Sequence, residues 1–221
     1  MNPAKQALFP TLKIENDLYQ QGFWPAAGLD EVGRGAWAGP VVAAAVILPA
    51  PSASLLESLH GVRDSKLMSA NQREHWAEVI SQTAIETSIG VVSSEQVDAI
   101  GVLPATRLAM SRSLENLSRK PVHLIIDYLE LPEVEIPQTS IAHGDSLVLS
   151  IAAASVIAKV TRDQMMVQID RQYPVYAFAK NKGYGTREHQ AALRKCGICP
   201  YHRRSYRPVA QLPLPGLSEQ L

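Results

Sequence analysis

Three strand-length apolar runs fall within the first hundred residues, and the connection between the first two is short and rich in glycine. Ala26 to Asp30 and Val41 to Leu48 read as buried strands on either side of a turn holding Gly33, Gly35, Gly39 and Pro40. Ile85 to Val92, with Ile85, Thr87, Ile89 and Val91 on one face, reads as a third. Short connections between consecutive strands favour antiparallel pairing. Downstream the pattern changes to helix alternating with strand. Ser69 and Gln72 form a capping-box pattern that starts a helix with Trp76, Val79 and Ile80 on one face. A second helix is predicted from about Pro104 to Leu117, with Leu103, Met110, Leu114 and Leu117 at helical spacing. Val122 to Asp127 follows as a strand, and a long helix from about Ser146 to Arg171 is expected to bury Ile151, Ser155, Ala158, Met165 and Ile169. This order implies an α/β fold, one mixed β-sheet flanked by helices.

With 221 residues, 46% of them hydrophobic, the chain can bury one sizeable core and a small appended piece. Lys+Arg and Asp+Glu both number 21, so net charge carries no sign of a partner. The distribution does. Between Arg171 and Arg207 nine basic residues face one acid, Glu188, which leaves twelve basic and twenty acidic residues elsewhere. Such a run taken alone is more often a solvated face. Here Tyr173, Tyr176, Phe178, Tyr184, Tyr201 and Tyr206 are interleaved with it, and aromatic faces stack on bases or sugars while Lys and Arg neutralise phosphates. We therefore divide the chain into a leading segment (1–20), a core (21–170), a basic substrate-binding extension (171–207) and a tail (208–221) with three prolines and a glycine. The longest apolar run, Val41 to Pro49, is only strand length, and Lys5, Lys13, Glu15 and Asp17 interrupt any signal-peptide core. The expectation is a cytoplasmic protein with no membrane partner and, lacking coiled-coil heptads, a monomer. Cys196 and Cys199 have C-x-x-C spacing with His202 beyond, but a structural zinc needs four ligands, so reduced thiols in a loop are the expected state.

Four acids stand at the ends of predicted elements. Asp30 and Glu31 close the first strand, Asp127 ends the strand after Val122 to Ile126, and Asp145 lies just before the long helix. Each alone has an ordinary structural explanation, as a turn former or helix cap. Together they offer the oxygen-only donors that Mg²⁺ and Mn²⁺ prefer, if the fold makes them converge. The chemistry that needs such a set is phosphodiester hydrolysis with two metal ions, which requires no protein nucleophile.

The motifs carrying these acids resemble those of ribonuclease HII. Gly28-Leu29-Asp30-Glu31-Val32-Gly33-Arg34-Gly35 and Ala38-Gly39-Pro40 look like that family's opening signature. Asp64-Ser65-Lys66, Ile126-Asp127, Gly144-Asp145-Ser146, Ser150 to Lys159, Thr161-Arg162-Asp163, Lys182-Gly183-Tyr184-Gly185-Thr186 and His202-Arg203-Arg204-Ser205 keep its order, from about Ala27 to Tyr206. The resemblance implies a ribonuclease H-like fold with a C-terminal helical extension. It implies hydrolysis of the RNA strand of RNA/DNA hybrids and incision 5′ to single ribonucleotides in duplex DNA, leaving 3′-hydroxyl and 5′-phosphate ends. By position, Asp30, Glu31, Asp127 and Asp145 would be the catalytic acids binding two Mn²⁺ or Mg²⁺ ions, and Gly33-Arg34-Gly35 would present backbone to the 2′-hydroxyl. Tyr184 would stack on the sugar of the following deoxynucleotide; Lys66, Lys182, Arg187, Arg203 and Arg204 are phosphate-contact candidates, each of which taken singly reads more simply as surface charge.

Asp64 is expected to serve the loop around Lys66, Asp163 to form a structural ion pair, and His143, His189 and His202 to be marginal candidates for proton transfer. The chain departs from the family pattern at Ala36-Trp37, at His143 and at Tyr128, where a glycine is usual; a bulky neighbour of Asp127 bears on access to the metals or on the backbone. Rival readings are a ribonuclease HIII, a junction resolvase and a non-catalytic nucleic-acid-binding module. About 26 residues precede the motif, fewer than the substrate-binding domain that ribonuclease HIII carries there, and a non-catalytic module has no reason to retain all four acids.

Overall fold

The glycine-rich connection does return the chain antiparallel, and the sheet it starts is mixed. A computed structural model describes residues 9–211. In chain order its elements are α1 (Lys13–Gln20), β1 (Ala26–Val32), β2 (Val41–Ile47), α2 (Ala53–Ser58), α3 (Ala70–Thr83), β3 (Glu86–Val92), α4 (Ser94–Ile100), α5 (Val102–Glu115), β4 (His123–Asp127), β5 (Gln138–Ile141), α6 (Gly144–Leu147), α7 (Leu149–Gln172), α8 (Phe178–Asn181), α9 (Arg187–Cys196) and α10 (Arg207–Ala210). The sheet order is β3-β2-β1-β4-β5. β1, β2 and β3 pair antiparallel, whereas β4 lies parallel to β1 and β5 parallel to β4. Of these strands only β5 has no counterpart in the sequence reading. It is four residues long and none of them is fully buried, so it has no apolar run to announce it.

Both faces of the sheet are covered. On one, Ala27, Leu29, Ala43, Ala45, Leu124 and Ile126 pack against Ala105, Ala109, Met110 and Leu114 of α5. On the other, Ala44 and Val46 meet Ile80 of α3 and Ala152, Ala153 and Val156 of α7. Each large aliphatic side chain so buried contributes about 1.5–3 kcal/mol. The double cover corrects the expectation for β3: Ser88, Gly90 and Val92 are its more buried face, and the side bearing Ile89 is only half-buried. A Cβ on Gly90 would stand 1.9 Å from the Ala109 carbonyl oxygen, so the missing side chain is what lets α5 lie on the sheet.

Two helices also differ in detail from expectation. α5 begins at Val102 behind Gly101, and Leu103 lies on its exposed side while Ala105, Thr106 and Ala109 face the sheet. The long helix is interrupted: Val148 is extended, between α6 and α7. The leading segment causes the break, because Thr11 accepts from Leu149 N–H (3.1 Å) and donates to the Leu147 carbonyl (3.0 Å), in place of helix continuation. Further along α7 the buried methionine is Met166 rather than Met165. Where it is described, the leading segment packs closely: Leu12 and Leu18 are buried, and the Glu15 carboxylate accepts from Ser150 N–H at 2.8 Å in the first turn of α7. Of the expected tail, 208–211 are described, as the end of α10 and Gln211, and 212–221 lie outside the described residues.

The basic segment after α7 folds back over the glycine turn. Tyr176, Phe178, Leu193 and Cys199 form a small core of their own with Ala38, Met166 and Ile169. Among the described residues no helix is long and apolar enough to cross a membrane. Cys196 and Cys199 are free thiols, the first exposed and the second buried.

Candidate active site

Register brings the first two acids together. Leu29 of β1 pairs with Ile126 of the parallel strand β4, so Asp30 and Asp127, each one residue further on, stand side by side where β4 ends; β1 itself runs on past Asp30 and Glu31 to Val32, paired with β2. Leu29 and Ile126 face α5; by alternation both aspartates face the other layer, where α7 lies. There a Cβ on Gly28 would stand 2.3 Å from the backbone of Ser150, so the glycine admits α7 to the sheet. Asp145, in the turn leading into α7, is thereby carried to the same place. Asp127 is fixed by the Gly144 N–H, which donates to Oδ1 at 2.7 Å.

Electrostatics records the convergence. Burial, and then the negative charges of Glu31, Asp127 and Asp145, hold the Asp30 carboxyl well above the usual carboxylate range. Burial raises Glu31 against the opposing pull of Arg34, whose guanidinium lies 3.1 Å away. Burial raises Asp127 as well, with the Gly144 N–H opposing it and the Asp145 charge adding to it. Glu31 Oε2 is buried without a hydrogen-bond partner. Among the described residues, the lysine that reaches the set is Lys66, with Nζ 3.1 Å from Asp145 and 3.7 Å from Asp64. Burial lowers its pKa, but the Asp145 hydrogen bond and charge outweigh this and raise it. The loop bearing Lys66 is pinned to α7 by the Ser65–Ser155 hydroxyl pair at 2.8 Å and to α3 by Arg73, which donates to the Ser65 and Met68 carbonyls.

Among the described residues no three Asp, Glu, His or Cys side chains are drawn tightly enough to enclose a metal. Asp145 is held by Lys66 and Asp127 by Gly144, and like charges resist closer approach. The donor set nevertheless fits hard divalent cations. It is all oxygen, it crowds four carboxylates beside Arg34 and Lys66, and it keeps one carboxylate oxygen unpartnered.

Beside the acids lies the Gly33–Gly35 turn. Gly33 has φ +94°, and a Cβ there would stand 2.2 Å from Arg162 Nε; Gly35 faces open space. Gly33 thus makes room for the protein itself, and Gly35 is the position where backbone is accessible from outside. Beneath the turn sit two fully buried arginines. Arg162 donates to the carbonyls of Pro40 (2.9 Å), Lys182 (2.9 Å) and Ala38 (3.1 Å), and its guanidinium lies 5.6 Å from the centre of the Tyr184 ring. Arg203 donates to the carbonyls of Gly39 and Arg34 and to the Tyr206 hydroxyl, which in turn donates to the Arg34 carbonyl. The expectation of Arg203 as a phosphate contact is therefore corrected: its donors are spent inside, on the underside of the turn.

Other expected residues lie on the outside. Tyr184 is 37% exposed, Arg187 begins α9 on the surface, and Arg204 is exposed with its amide on Asp98. Lys182 is half-buried at φ +53°, its Nζ on the Ala179 carbonyl. Asp64 accepts from the Lys66 N–H, and Asp163 pairs with Lys159 (2.6 Å) and Arg73 (3.7 Å), both as anticipated. Tyr128 has φ +61° and is 69% exposed. A glycine is at home in that left-handed conformation, and the tyrosine keeps it while pointing to solvent. His143 is left-handed too, at φ +59°. Trp37 lies over Gly185, where a Cβ would stand 2.2 Å from its ring, and its backbone N–H donates to the Gly183 carbonyl at 2.8 Å. The departure at Trp37 therefore ties the glycine turn to the Tyr184 loop.

Sequence reasoning did not single out Arg162, and gave His189 and His202 only a marginal part. A charged residue amid the apolar face of α7 was the available signal for the first.

Comparison with known proteins gives a consistent picture. The family model for ribonuclease HII matches residues 27–209. A ribonuclease HII from Desulfitobacterium hafniense (strain Y51) is 50% identical over 200 residues, covering 90% of this chain and 75% of that protein. The ribonuclease HII in a PCNA complex from Archaeoglobus fulgidus superposes with a TM-score of 0.70 at 25% identity, over 82% of this chain and 95% of that one. Bst-RNase HIII in complex with Mn²⁺ gives a TM-score of 0.63 at 21% identity, over 87% and 70% of the two chains, a likeness of fold.

Proposed function

The chain belongs to the ribonuclease HII family, endoribonucleases that cleave the RNA strand of RNA/DNA hybrids, and from that premise we propose that it also incises duplex DNA 5′ to a single ribonucleotide, by two-metal hydrolysis. The observation that carries this reading is the convergence of four carboxylates, from β1, the end of β4 and the start of α6, where burial first and then one another's charges hold Asp30, Glu31 and Asp127 above the usual carboxylate range. Asp30, Glu31, Asp127 and Asp145 would hold the metals. Two Mn²⁺ or Mg²⁺ ions bound there supply activation of the attacking water and stabilisation of the leaving oxygen, giving 3′-hydroxyl and 5′-phosphate ends. The Mn²⁺ bound by the ribonuclease HIII of like fold supports the choice of metal.

The protein's own groups supply position. Arg34 holds Glu31 by its ion pair, so the turn and the acids move as one unit. The open backbone at Gly35 meets the 2′-hydroxyl. Tyr184, backed on one face by Arg162, offers its exposed side to the sugar of the next deoxynucleotide. Lys66, with 76% of its side chain exposed, is free to turn from Asp145 to a phosphate, and Lys182, Arg187 and Arg204 flank the strand as further phosphate contacts.

The test is cleavage of an end-labelled DNA duplex containing one ribonucleotide, with Mn²⁺ or Mg²⁺ and with chelator, for the native chain and Asp30→Asn. A metal-dependent cut 5′ to the ribonucleotide, lost in the variant, is expected. An intact duplex alongside a cut continuous hybrid refutes the junction reading.

A further inference from the structure

Two buried histidines lie directly under the Tyr184 loop, and their bonding fixes where each proton sits. His189, in the first turn of α9, places Nε2 2.9 Å from Nε2 of His202 and Nδ1 3.0 Å from the Tyr184 carbonyl oxygen. The Cys199 N–H donates to His202 Nδ1 at 2.9 Å, the shorter of that nitrogen's two contacts, the Cys199 carbonyl standing 3.4 Å away. An amide can only donate, so His202 Nδ1 carries the lone pair and its proton is on Nε2. That proton is donated to His189 Nε2, which leaves the His189 proton on Nδ1, facing a carbonyl that can only accept. One N–H and one C=O thus determine the tautomers of the whole chain. The rings of Tyr176, Phe178 and Trp37 enclose the pair. Burial keeps both imidazoles neutral near pH 7, with His202 lowered to about 4.

The next residue acts on the other half of the site. Arg203 holds the Arg34 carbonyl at 2.9 Å from below, while its own N–H donates to the Trp37 carbonyl at 2.8 Å. Consecutive residues of one loop therefore grip the Gly33–Gly35 turn directly and Tyr184 through His189.

We propose that His202, acting through His189, and Arg203, acting directly on the glycine turn, are a positioning clamp. It fixes the separation between the Gly33–Gly35 turn and Tyr184, and so sets the preference for a lone ribonucleotide followed by DNA over a continuous RNA/DNA hybrid. The proposal rests on the reading of Tyr184 given above. None of the three clamp residues touches the reacting atoms. A strand that satisfies only the turn is held equally in either substrate, whereas a strand read at both points must match their spacing.

The test compares His189→Asn with His189→Gln. The asparagine amide reaches where Nδ1 stands and keeps a donor for the Tyr184 carbonyl; the glutamine amide reaches where Nε2 stands and loses it. Each keeps one of the histidine's two bonds and leaves the other partner unpaired, the His202 N–H in the asparagine variant and the Tyr184 carbonyl in the glutamine variant, so a merely structural role lowers their melting temperatures and activities together. Initial rates with Mn²⁺ on the single-ribonucleotide duplex and on the continuous hybrid give a ratio of kcat/KM values. In His189→Gln that ratio is expected to fall about tenfold, through kcat on the junction substrate, which corresponds to the loss of one hydrogen bond. His189→Asn, which keeps the Tyr184 bond and loses the tie to His202, is expected to fall less, by about threefold. Tyr184→Ala separates the two readings. If it lowers the ratio while Asn and Gln match one another, the Tyr184 reading stands and the clamp is overturned. If it leaves the ratio intact, the Tyr184 reading falls and the clamp's role falls with it. Imidazole ¹⁵N spectra of the native chain at pH 7 add a check independent of variant folding. Protons on His202 Nε2 and His189 Nδ1 are expected, and the opposite tautomers overturn the proposal.

Discussion

Arg162→Met should cost the protein about 3 kcal/mol and loosen the site from beneath. The guanidinium satisfies three buried carbonyls at 2.9–3.1 Å, those of Pro40, Lys182 and Ala38. Burial lowers its pKa only to about 10, so it is charged at neutral pH and these are charge-assisted bonds. A buried carbonyl left without a donor costs roughly 1–3 kcal/mol, and contact with the Tyr184 ring adds about 0.5–1 kcal/mol. Against this, the methionine no longer buries a cation, which returns part of the loss. The balance is a net destabilisation of about 3 kcal/mol, among the larger effects of a single substitution. Arg162→Lys should fall between, because an ammonium cannot reproduce the planar fork that reaches three acceptors. Urea denaturation followed by circular dichroism reads the midpoints, with an unchanged slope showing that stability alone has moved. A methionine variant within about 1 kcal/mol of the native chain would refute the bracing role of Arg162, as would a lysine variant equal to the native chain.

Three further outcomes follow from the geometry. Tyr128→Gly should raise stability by roughly 0.5–1 kcal/mol: it relieves about 1–2 kcal/mol of left-handed strain, offset by glycine's greater freedom when unfolded, and sacrifices little packing; a lower melting temperature would contradict it. His202 should make stability fall as pH falls from 6.5 to about 4, because over that window the unfolded chain binds a proton that the folded one refuses, worth up to about 3 kcal/mol. The raised carboxylates of the acid set work in the opposite sense, so the histidine effect is read as the native chain minus His202→Gln, and equal slopes in the two would count against it. Asp30→Asn should stabilise the metal-free protein by on the order of 1 kcal/mol while abolishing cleavage, since it removes one buried charge from a crowded set; added Mn²⁺ should raise the melting temperature of the native chain more than that of the variant, and a destabilised variant would sink the argument.

The local elements were largely readable from the chain. Alternating and continuous apolar runs found β1, β2, β3 and β4, and Ser69 with Gln72 found the start of α3, because periodicity and capping are properties of neighbouring residues. Errors fell where a distant partner decides. The Ser88, Gly90 and Val92 side of β3 is the more buried because α5 lies on Gly90. Val148 is extended because Thr11 takes its neighbours' hydrogen bonds. β5 exists because β4 offers it a parallel edge.

For the candidate site the division is similar. The sequence by itself determined which oxygen donors stand at element ends, and the order of its motifs determined the family. Only the tertiary structure decided that Asp30 and Asp127 are side by side, that Lys66 reaches Asp145, and that Arg203 faces inward while Arg204 faces out. Parallel register, helix packing and the need of buried carbonyls for donors act between residues far apart in the chain, and spacing along a single strand of sequence carries no record of them.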